Sequence, residues 1–209
     1  MKLGTVLALD IATTTGWAWH RQGMPRPFFG AVPLTSGPDN VGRAMHELLS
    51  WLRELHIALK ADGFPITHFF FEKPFISPGA ANTQTSERLL GLCAAVQMFA
   101  FQVGATSCFS IDISEARKHF IGRGGGFKRA PGKNGRKGPY LPGHDPKELA
   151  IRECAKFGWH TDVHDAAEAC GLLDYAISLM DRGFVANGLP GYPRPWRDNA
   201  LFGGNNALA

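Results

Sequence analysis

Short, wholly apolar runs bounded by turn residues punctuate the first half of the chain. Thr5-Val6-Leu7-Ala8-Leu9-Asp10 reads as a buried strand, Thr13-Thr14-Thr15-Gly16 as a turn, and Trp17 to His20 as a returning strand. Phe28 to Leu34 supplies a third strand, so the N-terminus predicts a meander. Asp39 or Asn40 is positioned to cap a helix that runs to Ala61, with Ala44, Leu48, Leu49, Leu52, Leu55 and Leu59 near helical spacing. His68 to Phe71 forms a further buried strand ending on Glu72. A long helix follows over Thr83–Gln102, then a strand over Thr106–Ile111 and a helix from Ser114 to Phe120. Asp145-Pro146 opens a helix that stops at Gly158, because proline suits the first turn. Asp162 to Met180 completes the helices. A meander followed by strands alternating with helices predicts an α/β fold built on a mixed five-stranded sheet flanked by helices.

The organisation is one domain over residues 1–182 with an irregular, Gly-, Pro- and Asn-rich tail over 183–209. The chain has 209 residues, 44% of them hydrophobic, enough for one sizeable core. No apolar run reaches the roughly 18–20 residues of a membrane span, and the start lacks the pattern of a signal peptide. The cysteines (Cys93, Cys108, Cys154, Cys170) show no Cys-x-x-Cys spacing, so neither a zinc site nor a disulfide framework is expected. These features predict a cytoplasmic protein with no membrane partner.

Charge sharpens the picture because it is local. The formal net charge is +4, yet Arg123, Lys128, Arg129, Lys133, Arg136 and Lys137 all lie between Gly122 and His144, a stretch without a single acid. The same stretch, 122–144, is rich in Gly and Pro and is expected to be a mobile basic loop. Concentrated basicity with few apolar anchors suits a polyanion gripped through its phosphates.

The acids are distributed differently. Asp10 and Glu72 end two apolar strands; if those strands are parallel neighbours, both carboxylates emerge at the sheet edge where α/β folds bind ligands. Asp165 and Glu168 are three residues apart and share a helix face, whereas Asp174 is about half a turn out of phase with Asp165. Carboxylates gathered at one point repel by about 4 kcal/mol per close pair at an effective dielectric near 20. A divalent ion removes that cost, and hard oxygen donors suit Mg²⁺ or Mn²⁺. The residues alone leave plainer roles open: Asp10 in an Asx turn through Thr13, Glu72 paired with Lys73, and Asp165 and Glu168 complementing a helix dipole.

In that order the motifs resemble the RuvC Holliday-junction resolvases of the ribonuclease H-like superfamily. Leu9-Asp10-Ile11-Ala12-Thr13-Thr14-Thr15-Gly16 is similar, one residue shorter, to the family's opening Asp-x-x-x-x-x-x-Gly strand and turn. Glu72-Lys73-Pro74-Phe75 matches its Glu with a Phe three residues on, and Asp165-Ala166-Ala167-Glu168-Ala169 its Asp-Ala-Ala-Asp-Ala helix. Arg117-Lys118 through Gly122 is similar, one residue shorter, to its Val-Lys-x-x-x-x-Gly segment, and Lys147 falls at its lysine before the next helix. Two departures stand out. Glu168 replaces the usual Asp and reaches one methylene further, and His164 precedes Asp165, where it is expected to cap the helix or support the ligands from behind.

The resemblance implies a Mg²⁺-dependent endonuclease that cleaves four-way DNA junctions, with Mn²⁺ able to substitute. Asp10, Glu72, Asp165 and Glu168 would hold two ions in a two-metal hydrolysis. Lys118 and Lys147 would contact phosphates near the cut, and Phe75 would stack on unpaired bases. It also implies a homodimer, for which the helix face carrying Leu89, Leu90, Val96 and Phe99 is the candidate surface. Other readings use the same residues: a flap- or fork-directed debranching nuclease, or a DNA-binding module without catalysis. A third, the phosphate-binding turn of sugar kinases and actin-like ATPases, needs a second duplicated domain that 209 residues cannot hold.

Overall fold

The computed structural model describes residues 4–21, 24–35, 40–74, 83–132 and 137–180. Three strands open the chain, β1 (Thr5–Asp10), β2 (Thr14–His20) and β3 (Phe28–Pro33), followed by helix α1 (Val41–Ala61) and β4 (Ile66–Glu72). Next come α2 (Thr83–Gln102), β5 (Ser107–Ile111), α3 (Ile113–Ile121), the short strands β6 (Arg129–Pro131) and β7 (Lys137–Tyr140), α4 (Pro146–Lys156) and α5 (His164–Met180).

The main sheet has the order β3-β2-β1-β4-β5. The predicted meander is present: β1 pairs antiparallel with β2, and β2 with β3, while β1–β4 and β4–β5 are parallel. β1 lies at the centre and every residue in it is buried, which its unbroken apolar run requires. Side chains alternate between the two faces of a strand, and the two cores follow that alternation. Leu7, Leu9, Phe69 and Phe71 pack beneath α1 and α2. Val6, Ala8 and Phe70 pack beneath α3, α4 and α5 with Phe120, Leu172, Leu173 and Ile177. The result is a mixed α/β sheet between two helical layers.

Local chemistry explains several boundaries. Asp145 caps α4 by accepting from the Lys147 amide at 2.9 Å, with Pro146 in the first turn as expected. Asp112 does the same for α3, accepting from the Ser114 amide at 2.8 Å, and Gly122 ends that helix at a φ of 83°. At α1 the first flanking residue is Asn40, whose side chain makes no capping bond.

Three expectations need correction. Residues 122–144 are not simply a loop, because β6 and β7 form an antiparallel ribbon that pairs Arg129 with Tyr140 and Pro131 with Lys137. The Arg129 guanidinium lies 3.6 Å over the Tyr140 ring and donates to the Gly138 carbonyl, giving the ribbon an anchor the glycine count conceals. The last helix starts at His164, two residues later than the sequence suggests. The proposed dimer face is divided: Val96 and Phe99 are core residues, while Leu90, Met98 and Phe101 are exposed. Phe75, Lys133, Arg136 and the tail lie outside the described residues, and so does the side chain of Lys137. Among the described residues no helix is long and apolar enough to cross a membrane.

Candidate active site

The parallel pairing of β1 with β4 sets Leu9 beside Phe71, so the next residues, Asp10 and Glu72, end neighbouring strands at the same edge. They share the parity of Ala8 and Phe70, the face covered by α5. Their carboxyls are in hydrogen-bonding contact. Asp10 is 7% exposed. Its pKa is raised well above 3.8, first by burial, then by the Glu72 hydrogen bond and the charges of Glu72 and Asp165; Lys147 opposes the rise. The plainer role for Asp10 is not realised: the hydrogen bond in its turn runs instead from the Thr15 hydroxyl to the Ala12 carbonyl.

Helix α5 brings the other two acids. Gly16 sits opposite Asp10 on β2, and a Cβ there would lie 1.9 Å from the Asp165 carbonyl oxygen. Only a residue without a side chain allows the first turn of α5 to approach the sheet so closely. Asp165 accepts from Lys147 Nζ at 2.9 Å, and Glu168 Oε2 accepts from Arg117 Nε at 3.0 Å. Glu168 is 4% exposed, and its other oxygen, Oε1, is buried with no hydrogen-bond partner. Burial raises its pKa, and the charge of Asp10 adds to the effect; Arg117 and Lys147 work against it. At Lys147 burial disfavours the charge, yet the Asp165 bond and the charges of Asp165, Asp10 and Glu168 outweigh it and raise the pKa.

The four acids and Lys147 therefore share one neighbourhood, as their order in the sequence suggested. The Glu72 carboxyl interacts with Asp10. Asp174, excluded by helical phase, is fully buried and accepts from His119 Nε2 at 2.9 Å. The remaining basic candidates differ in accessibility. Lys118 and Lys128 are exposed, whereas Arg123 donates to the Gly143 carbonyl and lies over Phe127. His164 is exposed at the start of α5.

Sequence reading missed Arg117, the cation that grips Glu168. The signal for it was a second basic residue beside Lys118 in the segment that ends on Gly122.

Among the described residues no three His, Cys, Asp or Glu side chains converge closely enough to ligate an ion. The donor chemistry nonetheless fits a divalent cation. All four candidates are hard oxygen donors, Asp10 and Glu72 already touch, and Glu168 holds a buried oxygen without a partner. Two of the acids are occupied by protein cations, Asp165 by Lys147 and Glu168 by Arg117.

Two solved structures share this architecture. The Thermus thermophilus RuvC structure aligns with a TM-score of 0.51 at 12% identity, over 88% of this chain and 95% of that one. T. thermophilus RuvC in complex with Holliday junction substrate aligns with a TM-score of 0.55, also at 12% identity, over 85% and 96%. No protein family matches the chain by sequence, and no curated protein does. At such identity the likeness is one of fold, the mixed ribonuclease H-like sheet expected from the sequence.

Proposed function

We propose that this chain is a divalent-metal-dependent endonuclease that cuts branched DNA, with the four-way junction as its preferred substrate. The observation that carries the reading is the contact between Asp10 and Glu72 at the end of two parallel strands, faced by Asp165 and Glu168. Nothing in the packing of the core requires acids there, and their mutual repulsion makes the cluster costly without a cation. The fold supports the same reading, since one of the solved structures that share it is a complex with Holliday junction substrate.

Asp10, Glu72 and Asp165 would hold the cation, with Glu168 beside them. Bound there, a divalent ion supplies an activated water and charge stabilisation at the scissile phosphodiester. Lys147, half-exposed and tied to Asp165, is placed to orient that carboxylate and to meet a DNA phosphate. Lys118, Lys128 and the β6–β7 ribbon extend the positive surface for the DNA backbone, and Arg123, Lys133, Arg136 and Lys137 belong to the same basic segment. A homodimer would present two such sites to a two-fold junction. Phe75 remains the candidate for stacking on unpaired bases.

The test is cleavage of labelled four-way junctions, flaps and linear duplexes in Mg²⁺ by the wild type and Asp10→Asn. The expected outcome is paired nicks on the junction and a drop in cutting of at least about 100-fold in the variant, the scale of removing a principal charge-stabilising group. Equal cutting by the variant overturns the assignment, and preferential flap cutting transfers it to a debranching nuclease. A second reading, a DNA-binding module without catalysis, is favoured by one observation: Lys147 and Arg117 already pair with two of the acids. Calorimetric titration with Mn²⁺ separates the two, because the module takes up no metal through Asp10 and Glu72.

A further inference from the structure

We infer that His144 is a positioning residue for DNA: its imidazole holds Lys128 at the base of the β6–β7 ribbon, where the ammonium can meet a backbone phosphate. This deepens the nuclease reading and rests on its DNA-binding part. Three of the six basic residues between Gly122 and His144 have described side chains, Arg123, Lys128 and Arg129, and they are not equivalent. Arg129 lies 3.6 Å over the Tyr140 ring and donates to the Gly138 carbonyl at 3.1 Å. Arg123 donates to the Gly143 carbonyl at 2.5 Å and lies 5.2 Å from the Phe127 ring. The Phe127 and Tyr140 rings meet edge-on with centroids 6.5 Å apart. Both arginines therefore brace the ribbon from within. Of the three head groups, only that of Lys128 has no partner among the described residues, and Lys128 is exposed.

The exposed lysine rises from a fixed backbone. Its carbonyl accepts from the Leu141 amide at 3.0 Å, and its amide donates to His144 Nδ1 at 3.2 Å. The His144 amide closes a turn on the Leu141 carbonyl at 2.9 Å, with Gly143 at a φ of 71°. A residue in the left-handed region at that place in a turn is ordinarily glycine. The turn brings the imidazole back onto the Lys128 amide. An Nδ1 that accepts has its proton on Nε2, so the imidazole is neutral in this contact. Its influence on a phosphate therefore passes through Lys128 and not through a charge of its own. Lysine is a flexible point charge, and fixing the backbone that carries it leaves less to be ordered when DNA binds.

The test measures binding of the full-length chain to a labelled four-way junction in EDTA, by fluorescence anisotropy across a series of salt concentrations. Lys128→Ala is expected to weaken binding by about three- to tenfold and to lower the log–log salt slope by about 0.9, the share of one phosphate. His144→Ala, which leaves every lysine and arginine in place, is expected to reproduce both changes. His144→Asn, whose Oδ1 can accept where Nδ1 did, is expected to restore affinity to within about twofold of wild type, short of the loss of one hydrogen bond. The double variant Lys128→Ala/His144→Ala should bind no worse than Lys128→Ala, because both changes remove one contact. A His144→Ala chain that binds as wild type overturns the inference, and so do additive losses in the double variant or a His144→Asn chain as weak as His144→Ala. His144→Phe, which keeps a ring without the acceptor, takes the place of His144→Ala if the smaller side chain does not fold. A wild type that binds no junction is a different failure, since it removes the DNA reading on which the inference stands.

Discussion

Asp10 illustrates how a functional residue works against its own fold. Burial and the nearby Glu72 and Asp165 charges raise its pKa above 3.8. A carboxyl that binds its proton more tightly when folded stabilises the native state below the unfolded pKa, and that contribution disappears as pH rises through the folded pKa. The metal-free protein is therefore expected to lose stability as pH climbs from about 4 toward neutrality. Asp10→Asn should flatten this dependence and raise the neutral-pH melting temperature, by about 2–4 °C for each kcal/mol recovered. Thermal denaturation from pH 4 to 8 in EDTA checks it, and an unchanged slope would deny Asp10 this role. Metal uptake should show the opposite pH trend. Protons compete for Asp10, so affinity should weaken on acidification at a higher pH than ordinary carboxylates require.

At the level of elements, the contact that assembles the site is between β2 and the first turn of α5. Gly16 permits it, because any side chain would meet the Asp165 carbonyl. Gly16→Ala is expected to cost about 1–3 kcal/mol, as overpacking against backbone does, and to weaken Mn²⁺ binding by displacing Asp165 and Glu168 together. Gly42→Ala is the matched control. Nothing lies within 4 Å of the added methyl, and the residue sits in helix α1. That change should stabilise by about 0.5–1 kcal/mol and leave metal binding alone. Chemical denaturation together with Mn²⁺ titration of both variants distinguishes the two effects; equal behaviour would show that Gly16 is not what lets α5 approach.

Across the whole molecule the basicity is local: six basic residues lie in segment 122–144, which includes the β6–β7 ribbon and falls between α3 and α4 in the chain. Removing that segment's six basic residues from the count leaves the chain formally negative, so attraction to DNA depends on it. Replacing Lys128 and Lys137 together by alanine should weaken junction binding and reduce the log–log salt slope by about 0.9 for each phosphate no longer neutralised. Fluorescence anisotropy between 50 and 200 mM salt, roughly the span over which phosphate neutralisation is titrated, measures it. An unchanged slope would remove these lysines from the DNA surface.

Much of this protein was determined by local pattern. Unbroken apolar runs foretold β1 and β4, and helical spacing foretold α1, because burial period is written in consecutive residues. Strand-end placement marked Asp10 and Glu72, and the three-residue interval marked Asp165 and Glu168. The β6–β7 ribbon was hidden because its anchor, Arg129 over Tyr140, joins residues across a stretch whose Gly and Pro content reads as loop. Only tertiary structure decided that the acids meet, since that depends on the parallel register of β1 with β4 and on the bare backbone at Gly16. It alone decided that Arg117 grips Glu168, a pairing between residues 51 positions apart. Local sequence encodes which face a side chain takes; which charges end up sharing one low-dielectric pocket is settled only when the helical layer closes on the sheet.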